Sequence, residues 1–162
     1  AVALNEKKLH RNFQGYCTRE TTGQVYGFGA SSISQLDSSY SQNIKNTSKY
    51  IDSIEKNNLA VLRGYSLNKD EKIIRYVINS IMCNYFVDLE EVSNYFDVSI
   101  DELYQILDFS KSKFNDFIDD NLLDITDNKV IVHKKGRLVT RNISMCFDPL
   151  IKKKIGTYSK TI

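Results

Sequence analysis

Proline and cysteine are scarce in this chain of 162 residues, which holds one proline, Pro149, and three cysteines, Cys17, Cys83 and Cys146. A single proline and seven glycines argue against a long disordered or low-complexity region. The cysteines are odd in number and far apart, which excludes a disulfide framework, and no pair has metal-ligand spacing. No stretch reaches the roughly 18 to 20 apolar residues needed to span a bilayer, and the N-terminus lacks the apolar run and small-residue cleavage site of a signal peptide. The simplest setting is therefore reducing and cytoplasmic, with no membrane partner. An excess of one charge is missing as well. The chain has 22 Lys+Arg against 20 Asp+Glu, mixed along its length. That balance gives no electrostatic reason to expect nucleic acid or an anionic membrane. An initiating Met is also lacking, and residues 1–8 run directly into a dense motif, so the chain reads as a piece cut from a longer polypeptide.

What is present is enough apolar surface for a core, with 41% of residues apolar or aromatic. Residues 9–45 are rich in Gly, Ser, Thr and Asn. Within them Val25-Tyr26-Gly27-Phe28-Gly29-Ala30 reads as a short strand ending in a glycine turn. Asn46 or Thr47 can cap a helix carrying Tyr50, Ile51 and Ile54, which Asn57 and Asn58 end, and residues 59–65 read as an extended link. A second part opens on a long amphipathic helix whose stripe runs from Ile73 through Ile81 to Phe86. Asn68 and Glu71 supply a capping-box variant at its start. A short helix from Leu89 to Phe96 follows, then a second capping box at Ser99 and Glu102, and a helix capped by Ser110 that reaches Leu122. The period then switches. Residues 123–126 and 129–133 flank Asp127-Asn128, a pair suited to a tight hairpin turn, and a last helix spans Leu138 to Phe147. Helices followed by a two-stranded hairpin are the order of a winged helix, in a fold class of α+β, mostly helical.

None of these features demonstrates chemistry alone. The Gly27–Ser32 run could cradle a phosphate, yet it matches neither dinucleotide nor P-loop spacing, and a tight turn explains it as well. The helix in the DNA-recognition position offers Lys111 and Lys113 but also Asp116, Asp119 and Asp120, a face that repels phosphate. His10 and His133 lie in different segments, which suits hydrogen-bonded surface residues better than metal ligands. Cys83 and Cys146 read as small hydrophobes, and nothing near Cys17 suggests an activated thiolate.

A sharper expectation comes from longer motifs. Leu9-His-Arg-Asn-Phe-Gln-Gly-Tyr16 followed by Gly27-Phe-Gly-Ala-Ser-Ser-Ile-Ser34 is similar to the end of the catalytic barrel in oxygen-independent coproporphyrinogen III oxidases. Tyr40-Ser-Gln-Asn43, Arg63-Gly-Tyr-Ser-Leu67, Ile81-Met-Cys-Asn84, Gly136-Arg-Leu-Val-Thr-Arg-Asn-Ile143, Met145-Cys-Phe-Asp148 and Tyr158-Ser-Lys-Thr-Ile162 continue the resemblance in order, from about residue 9 to the last residue. The resemblance implies a radical S-adenosylmethionine enzyme of haem synthesis that oxidatively decarboxylates two propionates of coproporphyrinogen III to give protoporphyrinogen IX, using an external electron donor. It implies a parent that is monomeric, in which a partial (β/α) barrel holds a [4Fe-4S] cluster and S-adenosylmethionine under a helical accessory domain.

On this basis residues 1–58 are the last strand and helix of the barrel, and residues 59–162 are a winged-helix-like C-terminal domain. Gln14 and Ile33 match positions that resemble contacts to a second S-adenosylmethionine, with Gly27, Gly29 and Ala30 letting the strand end approach it. Arg11 is a candidate partner for a substrate carboxylate, because guanidinium binds carboxylates bidentately. The family's cluster motif, C-x₃-C-x₂-C, is absent, so this stretch is expected to hold no catalytic residue or metal, to bind no cofactor tightly and to be inactive alone. The alternatives are a non-enzymatic winged-helix binding module and a porphyrin- or haem-binding relative.

Overall fold

A computed structural model describes residues 9–12, 15–18 and 24–151. The fold class is α+β, and the chain divides into two compact units between Lys72 and Ile73. In the first unit β1 (Leu9–Asn12) and β2 (Gly15–Thr18) form an antiparallel pair. A separate antiparallel sheet has the order β3-β4-β5, from β3 (Ile33–Gln35), β4 (Ser39–Asn43) and β5 (Val61–Ser66). Between β4 and β5 lies α1 (Thr47–Glu55), whose N-cap Asn46 accepts a 3.0 Å bond from the Lys49 amide through Oδ1. Among the described residues of this unit, Ala60 is the only buried apolar side chain.

The second unit is built differently. The long helix α2 (Lys69–Asn84) crosses the division and buries Ile73, Ile74, Val77 and Ile81. Strand β6 (Phe86–Asp88) follows it, then α3 (Leu89–Phe96) and α4 (Ile100–Ile106). A 3₁₀ turn (Lys111–Phe114) leads into α5 (Asn115–Asp119) and a hairpin of β7 (Leu123–Thr126) and β8 (Lys129–Val132). The sheet order is β6-β8-β7, so β8 is central. A second 3₁₀ turn (Gly136–Val139) opens α6 (Thr140–Met145). One apolar core joins these elements, and its aromatic part stacks Phe109 on Phe147 and packs Phe114 5.0 Å from Phe147 between ring centres.

Local signals form as expected where the bonds are local. Asn68 and Glu71 cap α2 reciprocally, with the Glu71 amide donating to Asn68 Oδ1 at 2.9 Å and the Asn68 amide to Glu71 Oε2 at 3.0 Å. Ser99 Oγ accepts from the Glu102 amide at the start of α4. Asp127 and Asn128 both have positive φ, 46° and 66°, as a primed hairpin turn requires.

Five elements differ from expectation. Of Val25–Ala30 only Val25 pairs, in a bridge to Gln35, because the Gly27 amide donates to the Ser34 hydroxyl and not to a strand. Residues 61–66 are a paired strand and not a link. The α2 stripe stops before Phe86, because Tyr85 adopts a left-handed φ of 59° and Phe86 pairs with Ile131. Ser110 bonds to Ser112 Oγ and caps no backbone amide, so the expected Ser110–Leu122 helix is a 3₁₀ turn plus the short α5, ended by Asn121 at φ 55°. The expected Leu138–Phe147 helix begins instead at Thr140, after the 3₁₀ turn.

That 3₁₀ turn explains Gly136. A Cβ there would lie 2.1 Å from the Leu122 carbonyl oxygen, which also accepts a 2.8 Å bond from the His133 amide. Backbone cannot yield as a side-chain tip can, so Gly136→Ala is expected to destabilise the chain by about 2 kcal/mol or more through overpacking. Chemical denaturation checks this, and a loss within about 0.5 kcal/mol of wild type, as at an unconstrained surface site, would contradict it.

Candidate functional site

The turn between Gly27 and Ser32 is held by side-chain bonds. Asn43, at the end of the polar strand β4, directs Nδ2 at three oxygens: Gly27 O at 3.2 Å, Gly29 O at 3.1 Å and Ser32 Oγ at 3.0 Å. Two of the three are carbonyls, so the atom facing them must be the amide nitrogen. The Ser32 hydroxyl donates to Gly29 O at 2.7 Å and is therefore free to accept from Asn43. Tyr50 of α1 completes the clamp, its hydroxyl accepting from the Gly29 amide at 3.1 Å. Backbone bonds from Ser31 N to Ile44 O and from Asn43 N to Ser32 O, both 2.9 Å, seat the turn beside β4.

The two glycines serve different ends. Gly29 has φ +97°, a conformation that side chains disfavour, although a Cβ there would meet open space. At Gly27 a Cβ would fall 2.8 Å from the carbonyl carbon and oxygen of Ile33. Gly27 thus admits the backbone of its own chain, at the residue that begins β3.

Ile33 lines an open groove of about 470 Å³ together with Tyr40, Ser41, Gln42, Arg63, Gly64 and Tyr65. Its polar edge is a relay in which Arg63 Nε donates to Gln42 Oε1 at 3.0 Å and Gln42 Nε2 donates to Ser31 O at 3.2 Å. At the other edge the Tyr65 hydroxyl donates to Glu71 Oε1. This bond holds the Glu71 carboxyl below the usual carboxylate range, helped by the Asn68 amide, and pushes the Tyr65 phenol up.

Of the residues singled out by sequence, Gly27, Gly29 and Ala30 lie in the clamped turn and Ile33 lies in the groove beside it. Arg11 is in β1, where only the backbone is described, and Gln14 lies outside the described residues. Sequence reasoning assigned no role to Asn43, Tyr50, Gln42 or Arg63. Gln42, Asn43 and Arg63 fall within Tyr40–Asn43 and Arg63–Leu67, which entered only as matching motifs, and Tyr50 lies in neither.

No group of three or more His, Cys, Asp and Glu among the described residues could hold a metal ion. His133 bridges the Asn121 carbonyl at 3.2 Å and Asp124 Oδ2 at 2.9 Å. Cys83 is buried, and burial pushes the Cys146 thiol up, against a smaller opposing effect of Lys113, so it is a poor nucleophile near neutrality. No helix among the described residues is long and apolar enough to cross a membrane.

No protein-family model matches the chain. It is 36% identical over 158 residues to the oxygen-independent coproporphyrinogen III oxidase of Salmonella typhimurium, which covers 95% of this chain and 33% of that protein. The Escherichia coli enzyme of the same name is 35% identical over 159 residues with the same coverage, and that of Thermostichus vulcanus is 30% identical over 164 residues, 49% of its length. A solved structure described as coproporphyrinogen III oxidase (HemN) from Escherichia coli, a radical SAM enzyme, superposes with a TM-score of 0.80 at 35% identity, covering 92% of this chain and 33% of that one. The chain is thus related over almost its whole length to the oxygen-independent coproporphyrinogen III oxidases, and it spans about a third of the length of the first curated relatives it matches.

Two outcomes are expected. Asn43→Ala is expected to lower stability by about 1 to 3 kcal/mol, since partly buried acceptors lose their donor. Asn43→Asp is expected to lower it further, because a carboxylate would face two carbonyls. Paired urea denaturation measures both, and a more stable Asp variant would show that the amide does not clamp the turn. The second concerns pH. The Glu71 carboxyl titrates lower in the folded state, so its contribution to the α2 cap is present above the usual carboxylate range. It is lost as pH falls through the lowered value. Amide exchange at Asn68 should accelerate over that acid interval in wild type and show no such step in Glu71→Gln.

Proposed function

We propose that this chain is the C-terminal part of an oxygen-independent coproporphyrinogen III oxidase. The observation that carries the reading is similarity across 95% of the chain together with a matching fold at 35% identity. The parent activity is the oxidative decarboxylation of two propionates of coproporphyrinogen III to vinyl groups, giving protoporphyrinogen IX. Its setting is the cytoplasm, with an external electron donor, no nucleic-acid or membrane partner, and a monomeric enzyme.

Residues 1–58 are read as the end of the radical S-adenosylmethionine barrel and residues 59–162 as an accessory domain of winged-helix-like order. What supports the second reading is the succession α2, β6, α3, α4, α5 and then a hairpin, with β8 between β6 and β7. Gene-regulatory use of that architecture is disfavoured by the chain's own charges, since Lys113 near the recognition-like position is paired with Asp108 at 2.7 Å.

The [4Fe-4S] cluster does not fit the residues of this chain. Cys17, Cys83 and Cys146 lack the C-x₃-C-x₂-C spacing, and no step through a cluster is derived for them. S-adenosylmethionine fits better. The clamped turn leaves open space beside Gly29, where a ligand can approach the backbone. Gln14, Gly27, Gly29, Ala30 and Ile33 are the proposed contacts, and Arg11 is the proposed partner of a substrate carboxylate. The role of this chain's residues is to shape the groove beside Ile33, hold the turn in place and exclude water, while the cofactors of the parent supply the radical chemistry.

The test is anaerobic turnover. The complete natural polypeptide that contains this sequence, with reductant and S-adenosylmethionine, is expected to convert coproporphyrinogen III to protoporphyrinogen IX, and the 162-residue chain alone is expected to give none. Failure of the complete polypeptide to decarboxylate, or turnover by the 162-residue chain alone, would overturn the assignment.

A further inference from the structure

We infer that Arg63, tethered by Gln42 at the edge of the Ile33 groove, is a receptor for an aliphatic carboxylate carried on an apolar ring system. Arg63 is an exposed residue of β5, and the groove that it borders is mainly apolar, with Ile33, Tyr40 and Tyr65 beside Ser41 and Gln42. Gln42 Oε1 takes Nε alone. Among the described residues no carboxylate pairs with this guanidinium, which leaves the four N–H bonds of its two terminal nitrogens for a ligand. Two of them form the parallel fork that a carboxylate accepts bidentately.

The tether matters as much as the charge. Gln42 is itself anchored through Nε2 to the Ser31 carbonyl, within the turn that Asn43 clamps. A long, rotamer-rich arginine is thereby partly pre-organised before any ligand arrives, which reduces the entropy lost on binding. The neighbouring acid does not compete for it. Glu71 bonds the Tyr65 hydroxyl through Oε1 and the Asn68 amide through Oε2 and makes no ion pair with Arg63. Among the described residues lining the groove Arg63 is the one cation, and one cation beside an apolar wall suits a ligand with a single anionic arm and a greasy body better than a polyphosphate.

Two ligands of the proposed parent carry such an arm: the tetrapyrrole, through a propionate, and S-adenosylmethionine, through its amino-acid end. The inference rests on the functional reading above for the identity of these ligands, but not for the carboxylate chemistry. The apolar lining favours the propionate.

Binding to the complete natural polypeptide containing this sequence separates the cases. The probes are coproporphyrin III, its tetramethyl ester and S-adenosylhomocysteine, each titrated against wild type, Arg63→Gln and Arg63→Lys. Arg63→Gln is expected to weaken coproporphyrin III binding roughly tenfold to a hundredfold, the range of a charge-assisted bidentate pair. It should leave the ester unchanged, and Arg63→Lys should restore only part of the loss. A loss confined to S-adenosylhomocysteine would keep the carboxylate site and assign it to the sulfonium ligand. Equal affinities of wild type and Arg63→Gln for both acids would overturn the proposal, and equal losses for acid and ester would do so too, by showing a packing role. Turnover gives the separate readout. A wild-type polypeptide that shows the acid-against-ester difference yet decarboxylates nothing would remove the functional reading and leave the carboxylate site standing.

Discussion

The first unit depends on the rule that backbone carbonyls withdrawn from water must find donors. Its described residues contain one buried apolar side chain, Ala60, so the hydrophobic effect contributes little to their order. In its place stands a polar strand, Ser39-Tyr-Ser-Gln-Asn, paired on both sides, whose last residue captures two carbonyls and a hydroxyl of the preceding turn. Removing that donor leaves acceptors unpaired, which is more damaging than removing a matched pair. The same amide fixes where Ile33 begins its strand, where Ser31 presents its carbonyl to Gln42, and so where Arg63 is held. A binding groove built this way takes its geometry from hydrogen bonds with directional requirements, which suits the positioning of a ligand better than a soft apolar wall would.

The second unit solves a different problem. Apart from α2 its helices are short, and helices of this length are marginal in water without packing. They are stabilised by one continuous core and by caps. Asp88 ends β6 and accepts from the amides of Glu90 and Glu91, while Lys129 of the central strand sits 3.4 Å from its other oxygen. Asn128, needed in the hairpin turn for its positive φ, also bonds Glu90 and Tyr104 through its side chain. One turn residue therefore ties the hairpin to two helices. Arg137, next to the tightly packed Gly136, lies 4.4 Å over the ring of Tyr85, the residue whose left-handed backbone ends α2. These contacts place the motif residues Gly136 and Arg137 in a structural joint.

Much of this was legible from sequence wherever cause and effect are close along the chain. Capping at Asn46, Asn68 and Ser99 requires partners three residues away, and the Asp127-Asn128 turn is decided by the two residues themselves. β5 was not legible. Its residues look like a link because their pairing partner is a polar strand with no apolar alternation to announce it. The helix expected from Ser110 failed because a hydroxyl that can cap a helix can equally bond a neighbouring hydroxyl, as it does with Ser112. The site followed the same division. The glycines of the turn were visible as glycines, but Gly27 turned out to accommodate the backbone of Ile33. The Asn43 clamp was invisible, since its acceptors lie 11 to 16 residues away and an asparagine in a strand carries no signal of what it will bond.

The contrast between the units bears on how such a chain works within longer relatives. Tyr26, Phe28, Leu59, Leu62 and Tyr65 are all more than half exposed, and each lies in the unit whose described residues include one buried apolar side chain. A three-stranded sheet in that state gains stability when other residues cover it. The curated relatives matched first are about three times as long as the stretch they share with this chain, so they have residues to spare for the purpose. Arg63 borders the groove on that sheet. Coulombic interactions strengthen as the local dielectric falls. The Arg63 guanidinium would thus hold a carboxylate more firmly where residues laid over the sheet keep water from the groove.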